Sequence, residues 1–300
     1  MKAIVVGMGV QGVKRKKFLG KDFKYSVDKY LQADFKKIEH VPLDKYDTVF
    51  ACLPDNEKLK ILNFCIKNKK NILIEKPFLT KKSSTFLNLI KKIKKNRIVC
   101  YTAYNHRFEP NINDLKKILL NKKIGKIYHC KIFYGNGTSR LVKKSKWRDK
   151  GKGVITDIGS HLIDLCLYWF GKDFKNIKII ASNKFENNSP DHAIIKFNIK
   201  NIFIEIEMSL CMWKNTFRCD VIGSKGSAHL NSLCKWGKNF FEFRERKLPS
   251  GKPIRKVFKK YSLKDPTWKL ENLYLKKLIK KRYFGNLKND LIINSFFKKI

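Results

Sequence analysis

Six residues near the start of the chain, Gly7-Met8-Gly9-Val10-Gln11-Gly12, constrain its fold more than any other stretch. They follow a short β-branched apolar run (residues 2–6) and open a helix-like segment that reaches Leu19. GxGxxG means little alone, but between a strand and a helix each glycine has a mechanical role. The first permits the tight turn. The second lets a pyrophosphate approach the backbone, and the third lets helix pack closely on strand. The helix N-terminus then presents free N–H groups and the positive end of its dipole to the phosphates. Gly7, Gly9, Val10, Gln11 and Gly12 are therefore expected to hold a dinucleotide. Asp28 ends the next strand-like run (residues 23–27), close to the spacing of about twenty residues at which an acid meets the ribose. A carboxylate there accepts both ribose hydroxyls and repels a 2′-phosphate. The expected cofactor is NAD, with NADP kept open by the neighbouring Lys29.

Beyond this motif, strand and helix patterns alternate. Residues 47–53 read as a strand stopped by Pro54, residues 57–67 as a helix, and residues 71–74 as a strand ending at Glu75-Lys76-Pro77. Phe86, Leu89, Ile90 and Ile93 mark an amphipathic helix, and residues 97–103 one more strand. Such alternation predicts an α/β domain with a doubly wound parallel sheet over residues 1–104. From residue 105 the pattern changes. A helix and a strand (residues 127–134) are followed by a helical run within residues 153–170, then by segments that look antiparallel, including a hairpin around Ser224-Lys225-Gly226. Residues 105–300 are expected to form a second, α+β domain, ending in a helix over residues 268–281 and a basic tail.

The formal net charge is +42. Its lysines are spread along the chain and no RNP, KH or zinc-finger pattern accompanies them, so the reading is solvated faces and not a nucleic-acid contact. Such a field still attracts anionic substrates. The eight cysteines form no CxxC pair, which suggests free thiols in a reducing, cytoplasmic setting and argues against a zinc site. There is no run of about eighteen apolar residues, so no membrane span is expected. The apolar start, broken by glycines, reads as a strand and not as a leader.

Taken in order, Gly7/Gly9/Gly12, Glu75-Lys76-Pro77, Tyr104-Asn105-His106-Arg107-Phe108, Trp147-Arg148, the segment from Gly153 through Asp157, Gly159 and His161, and Gly223-Ser224-Lys225-Gly226 resemble the Gfo/Idh/MocA oxidoreductases. The resemblance implies a Rossmann domain followed by a domain with an open, mostly antiparallel sheet, assembled as a homodimer or homotetramer. It implies hydride transfer between NAD(P) and a sugar, cyclitol or nucleotide sugar, with surface-polysaccharide synthesis as one setting. Lys76, Asp157 and His161 match the family's catalytic positions. Glu75, Lys76 and Pro54 join the expected cofactor contacts. Two departures are the short chain and Lys152, which breaks the glycine run.

The chemistry of these side chains fits that expectation. Oxidising an alcohol requires a base for the hydroxyl proton, and imidazole titrates nearest neutral pH. His161 follows Asp157 by four positions, so a helical segment puts both on one face. Lys76, just past a strand's carboxyl end, can stabilise negative charge on the reacting oxygen. Arg107 and Arg140 are candidates for an acidic substrate group, and Arg107 equally for a structural ion pair. Trp147 fits a sugar face, or the core, which is the stronger expectation for it. A non-catalytic dinucleotide-binding regulator and a reductase of imines or other carbonyls are the alternatives. Retention of Lys76, Asp157 and His161 argues against the regulator.

Overall fold

A computed structural model describes residues 1–145, 147–262 and 264–300. The chain divides into two compact units, residues 1–105 with 268–295, and residues 106–267 with 296–300.

The first unit is built on β1 (Ala3–Val6), α1 (Val10–Leu19), β2 (Phe23–Val27), β3 (Thr48–Ala51), α2 (Asp55–Lys67), β4 (Asn71–Glu75), α3 (Ser83–Lys95) and β5 (Cys100–Ala103). The five strands form one parallel sheet in the order β2-β1-β3-β4-β5. Strands β1, β3 and β5 are buried at every position, as expected where both faces of a parallel sheet are covered. The order reverses at β1, which places a switch point at the carboxyl end of that strand, where the glycine loop begins.

The second unit contains α4 (Pro110–Leu120), β6 (Ile127–Gly135), the short helices α5 (Ser139–Lys143) and α6 (Val154–Asp157), α7 (Gly159–Phe170), and seven strands. These are β7 (Phe174–Asn183), β8 (His192–Ile199), β9 (Ile202–Ser209), β10 (Thr216–Gly223), β11 (Gly226–Asn231), β12 (Asn239–Glu245) and β13 (Ile254–Tyr261). The sheet order is β13-β12-β11-β10-β6-β9-β8-β7, antiparallel throughout except for β6 beside β9. Residues alternate between buried and more exposed along β8, β10 and β12, so one face carries the core, with Ile132, Phe197, Ile206, Phe217 and Phe241 fully buried. Leu162, Leu165 and Cys166 of α7 belong to the same interior. The other face is polar, with Lys131 and Lys196 both on Glu205.

Two expectations are corrected here. Residues 268–295 do not belong with the second domain. Helix α8 (Thr267–Lys280) puts Leu275 and Leu278 into a core with Ala3, Val5, Phe50, Leu73 and Tyr101, covering the sheet face that α1 alone leaves partly bare. The opposite face is covered by Ile61, Leu62 and Cys65 of α2 and Phe86, Leu89 and Ile93 of α3, joined by Leu287. The stretch read as a basic tail is a helix, α9 (Leu287–Lys298), whose Ile293, Phe296 and Phe297 are buried. Phe296 meets the rings of Phe174 and Phe197 edge-on at 5.3 and 5.1 Å. Among the described residues, no helix is long and apolar enough to cross a membrane.

Candidate functional site

In the first unit the glycine motif adopts the geometry its sequence demands. Gly7 has φ +92°, and a Cβ there would sit 2.3 Å from the Cys52 carbonyl oxygen. A Cβ on Gly12 would lie 1.8 Å from the Gly7 carbonyl oxygen, so only glycine lets α1 pack on the turn. Gly9 differs, since a Cβ there would meet nothing within 4 Å. Protein packing does not explain that glycine. Val10 and Gln11 are exposed at the start of α1, whose first turn carries no acidic residue to compete with a phosphate.

The Asp28 carboxylate reaches back to this loop, accepting from the Met8 N–H at 2.7 Å and from the N–H groups of Tyr30 and Leu31, both at 2.8 Å. Burial alone would raise its pKa; the three backbone donors outweigh this and hold it below the usual carboxylate range. Asp28 is thus an ionised acceptor beside the glycine turn. Pro54 stands at the start of α2, just beyond β3.

Glu75 is tied into an ion-pair network. Its Oε1 accepts from Arg15 Nε at 2.7 Å, and Arg15 Nη1 donates to Glu271 Oε2 of α8 at 2.6 Å. Arg15 also lies 4.4 Å from the centre of the Trp268 ring. Because Arg15 is 1% exposed and Glu271 is fully buried, each charge needs the other, and one Glu75 oxygen is engaged in this network. Lys76 follows, half-buried, and then Pro77, whose carbonyl accepts from the buried Lys58.

In the second unit, α6 ends at Asp157 and α7 begins at Gly159, with Ile158 between them in helical torsions. The helical run read within residues 153–170 is preceded by the short α6, and Asp157 and His161 lie one turn apart. Asp157 Oδ2 accepts from Arg148 Nη2 at 2.6 Å. The His161 ring stacks on that of His106, centroids 4.0 Å apart, and His106 stacks in turn on Tyr134 at 5.7 Å. The Tyr134 hydroxyl accepts from Lys235 Nζ at 2.7 Å. Lys235 reaches solvent and lies 4.7 Å from the Trp236 ring. The protein packed around its ammonium lowers its pKa below the usual lysine value, against the pull of Glu109, Asp265 and Asp157. His161, His106, Tyr134 and Lys235 form one continuous polar and aromatic cluster.

The remaining candidate residues lie as follows. Arg107 holds Asp164 with a two-pronged ion pair, Nε to Oδ2 at 2.7 Å and Nη2 to Oδ1 at 2.6 Å. Asp164 is 1% exposed and requires that partner, so Arg107 supplies the counter-charge of a buried acid. Arg140 is exposed on α5. Trp147 is 56% exposed, which overturns its placement in the core. Lys152, the interruption in the glycine run, donates to the carbonyls of Phe297 and Ile300 and so anchors the end of the chain. Sequence reading noticed the run containing His106 but weighted its arginine. It missed Tyr134 and Lys235, which lie on β6 and after β11 with no motif around them.

A glycine-turn parallel-sheet unit, joined to an open-sheet unit bearing a His–Asp pair, defines a two-part dinucleotide-fold protein. Residues 112–229 match the family model described as the GFO/IDH/MocA C-terminal domain. That match covers less than half of the chain and makes its second unit similar to the Gfo/Idh/MocA proteins. The chain is 26% identical to glucose-6-phosphate 3-dehydrogenase of Bacillus subtilis strain 168 over 189 residues, 54% of this chain and 53% of that one. In structure it resembles a UDP-N-acetylglucosamine 3-dehydrogenase from Acidithiobacillus ferrooxidans, at TM-score 0.79 and 15% identity over 99% of this chain and 95% of that one. It also resembles levoglucosan dehydrogenase in complex with NADH, at TM-score 0.78 and 15% identity over 98% and 94%. At these identities the structural likeness establishes the fold. The chain's match spans only 53% and 59% of the first two curated relatives.

Proposed function

We propose that this chain is an NAD(P)-dependent oxidoreductase that moves hydride to or from a hydroxyl or carbonyl carbon of a sugar, cyclitol or nucleotide sugar. The observation that carries the proposal is the open approach at Gly9, between two glycines locked by packing and beside an ionised Asp28. The loop N–H groups and α1 suit a pyrophosphate, and Asp28 suits the two ribose hydroxyls, which favours NAD. NADH in levoglucosan dehydrogenase agrees with that choice, and the names of the relatives support a sugar-like substrate.

When bound, the nicotinamide accepts or returns the hydride. In the proposed reaction, Lys76 hydrogen-bonds the reacting oxygen and stabilises charge developing on it. His161 takes or returns the hydroxyl proton, its ring plane fixed by the stack on His106. Asp157, balanced by Arg148, accepts from a substrate hydroxyl. The exposed Arg140 and Trp147 remain proposed contacts for an acidic or a planar part of the substrate. The same reading includes a homodimer or homotetramer, which sedimentation tests, and a cytoplasmic setting suited to eight free cysteines.

Titration of the purified protein with NADH and NADPH, followed by nicotinamide fluorescence at low and high salt, tests this directly. Saturable binding that survives salt is expected; binding of neither cofactor would remove the reading. Asp28→Ala should raise the Kd for NADH about tenfold or more, the effect of losing charge-assisted hydrogen bonds, and affect NADPH less. Equal weakening of both would mean that Asp28 only braces the loop through Met8.

A further inference from the structure

Lys58 is the least expected side chain of the first unit. It lies on α2, the second helix, yet is only 2% exposed in a chain whose other lysines mostly face water. Burying an ammonium is costly unless its donors are used and its charge is balanced. Lys58 Nζ donates to Pro77 O at 2.6 Å and to Asp55 Oδ1 at 2.6 Å. Asp55 is half exposed, so it is a modest counter-charge for a buried cation. A carbonyl such as that of Pro77 can be satisfied by water or a neutral donor. What the lysine adds is a stiff, charge-assisted tether on one backbone atom.

That atom lies immediately after Lys76. On the other side, Glu75 is tied to Arg15, itself fixed by Glu271 and Trp268. The two tethers come from different helices, α1 and α2, and close on the three residues Glu75-Lys76-Pro77 from either end. Lys76 is also among the charges that depress the pKa of Lys58, so the two ammoniums feel each other.

We infer that Lys58 and Arg15 are positioning residues for Lys76, holding the backbone on both sides of it so that its ammonium meets the reacting oxygen in one orientation. The inference rests on the proposed role of Lys76. Misplacement of a reacting group by about 1 Å costs about a hundredfold in rate, which sets the scale of the expected effect.

The test compares Lys58→Met, Lys58→Arg, Lys76→Ala and the double variant Lys58→Met/Lys76→Ala. The substrate is whichever of myo-inositol, glucose 6-phosphate and UDP-N-acetylglucosamine the unaltered protein turns over, and NADH affinity is measured in parallel. Lys58→Met is expected to lower kcat by about tenfold to a hundredfold, with KM and NADH affinity within about threefold of the parent. Lys58→Arg should recover part of the loss, and Lys58→Met should cost nothing further once Lys76 is gone. Unchanged kcat in Lys58→Met, or a loss of the same size in the Lys76→Ala background, overturns the inference. If Lys76→Ala itself keeps full turnover, the reading of Lys76 fails instead. Should Lys58→Met not fold, Asp55→Asn, altering a half-exposed carboxylate, carries the test: a several-fold fall in kcat alone supports the tether, and an unchanged kcat overturns it.

Discussion

Replacing Lys76 by alanine should lower kcat by about a hundredfold to a thousandfold while NADH still binds with nearly its original affinity. The scale is that of removing one preorganised electrostatic donor from the oxygen on which charge develops. The split between turnover and binding follows from position. The groups proposed to hold the nucleotide, the glycine turn and Asp28, lie at the ends of β1 and β2, whereas Lys76 follows β4. A fall in NADH affinity parallel to kcat would instead make Lys76 a cofactor anchor. Arginine should not substitute well, because a planar fork cannot present the compact charge of an ammonium from the same backbone.

The second large effect concerns stability. Arg15→Met leaves the fully buried Glu271 without its cation and should destabilise the protein by about 3–5 kcal/mol near pH 8, read by urea unfolding. The loss should shrink on acidification. Burial raises the Glu271 pKa to about 7 even against the opposing pull of Arg15. A carboxyl raised above its unfolded value near 4.5 adds stability below that value and loses it as pH rises through the folded one. Without Arg15 the folded value moves higher still, so at pH 5 the acid is neutral and needs no cation. An equal loss at pH 5 and pH 8 would show that packing of the arginine stem beneath Trp268, and not charge, is what the position supplies.

Much of this was readable from the sequence wherever the chemistry is local. The turn from β1 into α1 and the acid after β2 lie within thirty residues, and each residue type answers to a backbone or charge requirement of its neighbours. The five strands of the first unit were placed to within a few residues because buried parallel strands are short, apolar and punctuated by glycine or proline. What escaped depends on distant partners. Arg15 sits in the run Lys14-Arg15-Lys16-Lys17, which looks like a solvated face, and its buried partner Glu271 is 256 positions away. Arg107 read equally as an anion binder or a structural cation, because Asp164, the buried acid it pairs with, carries no local mark. Helix α9 was hidden by its lysines and asparagines, although Leu287, Ile293 and Phe296 supply an inward face. In the second unit, His106, Tyr134 and Lys235 come from three separate segments that only the tertiary fold makes neighbours.

The return of residues 268–295 to the first unit bears on how the protein is made. During synthesis the five parallel strands precede residues 106–267, and one face of their sheet stays only partly covered until Leu275 and Leu278 arrive after those residues have been translated. The second unit, nearly contiguous in sequence, can gather its core in the meantime. The first unit is thus begun early and finished late, and through that interval its apolar strands Ala3–Val6, Thr48–Ala51 and Cys100–Ala103 lack part of their cover, the kind of exposure that chaperones shield.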